Sequence, residues 1–336
     1  MKISASLYSS TNTDLPSLVH ELEELNLDYF HIDCFDGQEE KVRKDVEAIQ
    51  EISKTPIDLH VISSRSAYFF NFAEELKVKQ LTLQFENVED KLAIPVKHSY
   101  KFGLAVCNDT KLELLRVYEQ ELDYILLMTT TPGKSGGTFQ KASFDRIRQC
   151  RQLYPTLPIY VDGGINAEVS FILRLLGVSM AVSGSFLVNN NNSAVALADL
   201  RFHQKGSHFL LEDFMQTGQH LPILNEQNAS FQEIVRVMES RKMGFVLFEN
   251  KGKLSGISSN ADLRRGILNH LDDLNQIQAQ DVINKSPVTI QASSSTYEMI
   301  SLIKQYNFPI LFLPVINEVN DLLGVITFNE LIKGEG

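Results

Sequence analysis

Over roughly the first 200 residues, short apolar runs alternate eight times with longer segments whose apolar residues recur at helical spacing. That alternation is the strongest constraint on the fold, because a strand followed by a helix must return beside its predecessor as a parallel neighbour. The runs predict strands over residues 3–7, 29–33, 57–60, 81–85, 102–106, 124–128, 159–162 and 180–182. Helices are expected from Leu15, with Asp14 as cap and Pro16 in the first turn, and over 39–52, 65–76, 110–120, 144–153, 167–176 and 193–202. Only the link over 88–100 is short and poorly patterned. Eight such units describe an α/β fold of the (β/α)8 TIM-barrel type, with an open doubly wound sheet as the structural alternative.

Closure into a barrel is preferred because of where the polar residues fall. In a strand, residues two apart share a face, so His31 and Asp33 point the same way at the end of the second strand. His60 ends the third strand and Asp162 the seventh. A closed barrel brings those C-terminal ends to one mouth, the place where such folds keep their chemistry. Two imidazoles and two carboxylates suit a divalent metal of the zinc, iron or manganese kind. The bland alternative is a hydrogen-bonded polar plug in the mouth.

Composition narrows the classes of partner. A formal charge of −11 opposes nucleic-acid backbones and anionic membranes, so neither is expected as a partner. The same charge gives no long-range attraction for a phosphate, which must be held locally by backbone N–H groups. Three cysteines, Cys34, Cys107 and Cys150, lack metal-site spacing and fit a reduced cytoplasmic setting. No stretch approaches the roughly 20 apolar residues of a membrane span, and the chain reads as soluble and unprocessed.

The run His31-Ile32-Asp33-Cys34-Phe35-Asp36-Gly37 resembles the His-x-Asp-x-x-Asp-Gly signature of the ribulose-phosphate 3-epimerase family. Ser4-Ala5-Ser6-Leu7 is similar to that family's opening strand, and Asp58-Leu59-His60 to its third. Leu127-Met128 with Pro132-Gly133 and Gly136-Gly137 resembles its sixth loop, while Val161 to Gly164 and Ser183-Gly184-Ser185 resemble its phosphate-binding ends. The resemblance covers most of residues 1 to 190. It implies a ketose phosphate as substrate, with a metal held by His31, Asp33, His60 and Asp162, and with Asp33 and Asp162 as acid/base groups on opposite faces of carbon 3. Ser6 and Met128 would line the substrate, Gly136 and Gly137 would cover it, and Gly163, Gly164, Gly184 and Ser185 would seat its phosphate.

The chain also departs from the family pattern. Phe35 and Ile62 stand where methionines are usual, Gln84 replaces a histidine, Gln38-Glu39-Glu40 follows Gly37, and Cys107-Asn108-Asp109 replaces an Asn-Pro turn. These changes leave open whether the sugar is a pentulose or a hexulose phosphate.

From Leu221 a strand, helix, strand, strand, helix pattern of about 60 residues occurs twice. It resembles a tandem pair of cystathionine-β-synthase-type (CBS) modules, an α+β Bateman domain over 221–336, after a barrel over 1–205 and a linker over 206–220. The linker carries a weak amphipathic patch suited to docking on the barrel. The resemblance implies an adenine nucleotide effector, with Ser259 and Asp262 at its ribose and phosphate and Thr327 in the second repeat, or else a dimerising role that makes a homo-oligomer. A rival reading is a catalytically silent barrel whose CBS pair signals to a partner protein.

Overall fold

In the computed structural model, which describes residues 1–11, 13–89, 91–134, 136–202 and 207–333, the eight runs form one closed parallel barrel. Its strands are β1 (Lys2–Ser6), β2 (Tyr29–Phe35), β3 (Ile57–Ile62), β4 (Gln80–Gln84), β5 (Lys101–Val106), β6 (Tyr124–Met128), β7 (Ile159–Asp162) and β8 (Met180–Ser183), and β8 closes on β1. Leu15–Glu23 begins where Asp14 accepts from the Ser17 N–H, as the capping pattern requires. Helices Glu39–Ile52, Ser66–Glu75, Ala142–Leu153, Ala167–Leu175 and Ser193–Phe202 pack outside.

Two connections differ from expectation. Leu112–Tyr118 is a 3-10 helix, because its apolar residues Leu112, Leu115 and Tyr118 recur every third residue and so stack on one buried edge at that period. A short helix, Ser185–Val188, follows β8 and went unforeseen because four residues show no periodicity. The poorly patterned link over 88–100 carries no helix or strand among its described residues, and the 3-10 turn Phe85–Asn87 precedes it.

The barrel interior is unusually polar on one side. Tyr29, Tyr124, Leu126, Met128, Tyr160 and Met180 form an apolar cluster, while His31, Asp58, His60, Gln80, Thr82 and Gln84 are also buried. Gly103 makes room for Tyr124: a Cβ there would sit 2.2 Å from the ring. The ring stacks on Tyr160 at 4.2 Å, and its hydroxyl is 2.7 Å from Thr82 Oγ1.

The chain divides into two units, Met1–Gln204 with Glu330–Gly336, and Lys205–Asn329. In the second unit, β9 (Ile223–Asn225), β10 (Phe245–Asn250) and β11 (Lys253–Ser259) form one sheet in the order β11-β10-β9. β12 (Ile290–Gln291), β13 (Phe312–Ile316) and β14 (Leu322–Thr327) form its counterpart, in the order β12-β13-β14. Each sheet has one parallel and one antiparallel pairing, so the sequence repeat is a structural repeat. Ser230 and Ser295 cap the corresponding helices Phe231–Arg241 and Thr296–Ile303.

The expected boundary at residue 205 lies outside the described residues, but most of the expected linker does not. Leu211–Phe214 is a helix, Phe209, Leu211, Phe214 and Met215 are buried, and Gln216 exchanges two backbone hydrogen bonds with Val325. The amphipathic patch is therefore tied by backbone hydrogen bonds to the second repeat, at Ala292, Ser294 and Val325. Asn284, which leads into the second repeat, makes the matching exchange with Ile257 of the first. Among the described residues no helix is long and apolar enough to cross a membrane.

Candidate active site

Strand register assembles the polar cluster. Pairing β2 with β3 sets His31 beside Asp58 and Asp33 beside His60, and pairing β6 with β7 sets Met128 beside Asp162. Both imidazoles are fully buried, while the Asp33 and Asp162 side chains keep 14% and 16% exposure, so only the acids open toward the mouth.

A hydrogen bond fixes which nitrogen of His31 is free. His31 Nδ1 lies 2.8 Å from Asp58 Oδ2, and a carboxylate only accepts, so the ring proton sits on Nδ1. His31 Nε2 then carries a lone pair; it is buried with no hydrogen-bond partner, 3.4 Å from Asp33 Oδ1 and 3.8 Å from Asp162 Oδ2. His60 Nε2 faces Gln84 Oε1 at 2.9 Å, and its Nδ1 faces Asp33 Oδ1 at 3.1 Å. Lone pairs aimed at one another this closely repel unless a proton or a cation lies among them.

The electrostatics agree. Burial favours the neutral form of His31, but the Asp58 and Asp33 carboxylates outweigh it and hold its pKa well above the ordinary value. Burial likewise raises Asp33, but the His31 and His60 rings beside it overcome that and hold this acid below the usual carboxylate range. Burial pushes Asp162 up to about 6. The same buried donors are of the kind that suit a divalent cation. One ligand atom each from His31, His60 and Asp162 lies within 4.8 Å of the others, a spacing that fits such an ion.

Above the cluster opens a cavity of about 840 Å³. Asp33 and Asp162 form part of its wall, and Ser6, Met128, Gly136, Gly137, Gly163, Gly164, Gly184 and Ser185 all line it. Gly163 and Gly164 adopt φ of +117° and +65°, and a Cβ on either would collide with Thr130 or with the backbone before Phe139. Their missing side chains thus also let the segment after β6 approach β7. Gly184 is needed for a similar reason, since a Cβ would meet Ser9 Oγ at 2.5 Å. Phe35, in place of methionine, lies directly under Gly133, whose φ is +66°.

Two residues of this site carry roles that sequence reasoning did not assign. Asp58 orients His31, and its position two residues before His60 on the same strand face was the available signal. Gln84 meets His60 Nε2, although the sequence alone marked it only as a departure. A rim cluster also joins the cavity: Asp45 accepts from the Tyr8 hydroxyl at 2.6 Å and from Lys41 at 2.9 Å.

In the second unit, Ser259 and Asp262 bond to each other. The Ser259 hydroxyl and N–H donate to Asp262 Oδ2 at 2.6 and 2.9 Å, a capping box that opens the helix Asn260–Asn269. Thr327 Oγ1 accepts from Gln216 Nε2 at 3.0 Å.

A family model described as the ribulose-phosphate 3 epimerase family matches residues 2–188, more than half of the chain. The chain belongs to the ribulose-phosphate 3-epimerase family. Among its relatives, the ribulose-phosphate 3-epimerase of Helicobacter pylori is 25% identical over 60% of this chain and 97% of its own length. That of Methanocaldococcus jannaschii is 25% identical over 60% of this chain and 90% of its own. To this epimerase-family barrel the chain adds a CBS domain, matched by its family model over residues 279–335. The solved structure of CBSX2 in complex with AMP is 19% identical, covering 38% of this chain and 96% of that one with a TM-score of 0.32.

Proposed function

We propose that the protein is a metal-dependent ketose-phosphate 3-epimerase of the ribulose 5-phosphate/xylulose 5-phosphate type, acting through an enediolate. The observation that carries this reading is the meeting of His31, His60 and Asp162, one ligand atom of each within 4.8 Å of the others, with Asp33 Oδ1 3.4 and 3.1 Å from the two rings, so that acids drawn from β2 and β7 share one cluster. A divalent zinc, iron or manganese ion held by His31, Asp33, His60 and Asp162 would supply charge stabilisation for the sugar oxygens as carbon 3 loses its proton.

Inversion at carbon 3 requires one group to take a proton from one face and another to return one to the opposite face. Asp33, held in its ionised form by the two histidines, is suited to accept, and Asp162, whose burial favours the protonated form, is suited to donate. In the reverse direction the roles exchange. Backbone N–H groups at Gly163, Gly164, Gly184 and Ser185 seat the phosphate, Ser6 and Met128 line the sugar, and Gly136 and Gly137 cover it.

The second unit serves as a regulatory or dimerising module within a homo-oligomer. An adenine nucleotide at Ser259, Asp262 and Thr327 would have to compete with hydrogen bonds those side chains already make. Three unpaired cysteines support a reducing, cytoplasmic setting.

The test incubates the purified protein with a panel of ketose phosphates in deuterated water, with elemental analysis of the same sample. Deuterium should enter carbon 3 of one substrate, a pentulose phosphate on this reading, and a bound divalent metal should accompany activity. Asp33→Asn and Asp162→Asn should each lose roughly 10²–10⁴ in rate while keeping the fold. Near-normal epimerisation in either variant would refute the two-acid mechanism, and deuterium uptake only with a hexulose phosphate would move the substrate assignment.

A further inference from the structure

Gln84 closes β4 under the cavity floor, buried to 2% exposure, and its amide is held at both ends. Its Nε2 faces the Glu86 carboxylate and the Ala105 carbonyl, the latter at 3.4 Å. Glu86 is itself anchored, accepting from the Cys107 N–H at 2.9 Å and from the Thr110 hydroxyl. A carboxylate and a carbonyl can only accept, so the amide must present its NH2 to them and its oxygen to His60. That oxygen, 2.9 Å from His60 Nε2, can also only accept. Asp33 Oδ1, 3.1 Å from Nδ1, is the competing acceptor, and Gln84 draws the proton of the neutral ring to Nε2, which leaves the lone pair on Nδ1 for a cation between the ring and Asp33.

We propose that Gln84, oriented by Glu86, is the positioning residue that selects the His60 tautomer, so that the series Glu86, Gln84, His60 presents a fixed Nδ1 lone pair to a divalent cation. This rests on the metal-site reading given above. It assigns a purpose to a residue that departs from the family pattern: the amide performs in one fixed orientation what a ring acceptor would perform only in one of its two tautomers. The parallel with the other histidine is close, since Asp58 sets His31 in the opposite tautomer, and both rings turn their free nitrogens to the same point.

The experiment is nitrogen-15 NMR of the histidine rings in the full-length, metal-free protein at mildly alkaline pH, paired with zinc affinity by chelator competition. Wild-type protein should show His60 protonated on Nε2. Gln84→Leu should lose that signature and bind zinc about 10–100-fold more weakly. Gln84→His, able to accept from His60 with one ring nitrogen and donate to Glu86 with the other, should restore both. Glu86→Gln, whose own amide can turn Gln84 around, should weaken zinc binding in the same direction, and it carries the test if Gln84→Leu does not fold. A wild-type His60 protonated on Nδ1, or zinc affinity unchanged in both Gln84→Leu and Glu86→Gln, would overturn the assignment. A wild-type protein that takes up no zinc, but whose His60 tautomer still shifts in Gln84→Leu, would remove the metal reading and leave the role of Gln84 standing.

Discussion

Replacing Asp58 with asparagine separates the orienting of a ligand from the ligand itself. Asp58 never reaches the cavity; its Oδ2 takes the His31 Nδ1 proton at 2.8 Å, with both side chains at most 1% exposed. Hydrogen bonds to a charged group contribute about 1.5–3 kcal/mol and neutral ones about 0.5–1.5. The exchange therefore weakens the constraint on His31 by about 1–1.5 kcal/mol if the new amide turns its oxygen to the ring. At about 1.4 kcal/mol per decade, that is roughly tenfold in metal affinity, the lower end of the 10–100-fold typical of residues that orient a ligand. An amide turned the other way would offer its NH2 to Nδ1, drive the ring proton to Nε2 and bring the loss toward the upper end.

The assay is chelator competition for metal affinity, with kcat/KM measured at limiting and at saturating metal and a thermal melt to establish the fold. The expected pattern is activity that falls at limiting metal and recovers at saturation, which a variant lacking Asp33 or Asp162 would not show. Metal affinity equal to wild type, in a variant whose fold is intact, would refute the reasoning that Asp58 sets the His31 ring.

Two further predictions concern the rest of the chain. A nucleotide that binds the CBS unit at 100 times its dissociation constant should stabilise it by about 2.7 kcal/mol; a melt that does not move with AMP, ATP or S-adenosylmethionine would favour the dimerising role. Gly103→Ala would place a methyl 2.2 Å from the fully buried Tyr124 ring, so it should destabilise the barrel by about 1–3 kcal/mol, read as a fall of several degrees in Tm. An unchanged Tm would mean that the Tyr124 and Tyr160 stack can shift at no cost.

Much of the barrel was legible because its two periods are local properties. Tyr124–Met128, Ile159–Asp162 and Glu39–Ile52 carry their own pattern, and the observed bounds coincide with those expected. His31, Asp33, His60 and Asp162 were legible because strand parity fixes the face and parallel order fixes the end. The residues behind them were less so: what Gln84 bonds depends on Ala105 and Glu86, which meet it only through strand register and a turn. The short elements within the expected linker were hidden for a related reason. Leu210 to Gln216 is too short for a helical or strand period to stand out, and its partners, Ser295 and Val325, lie far along the chain.

That exchange of leading segments bears on how the C-terminal half can be cut. Gln216 completes the edge of β14 and Asn284 completes that of β11, so each repeat loses two backbone hydrogen bonds when excised at its sequence boundaries. A fragment starting at Leu221 would bare one sheet edge and strip four buried apolar side chains, whereas one starting ahead of Phe209 would carry its own missing strand edge with it.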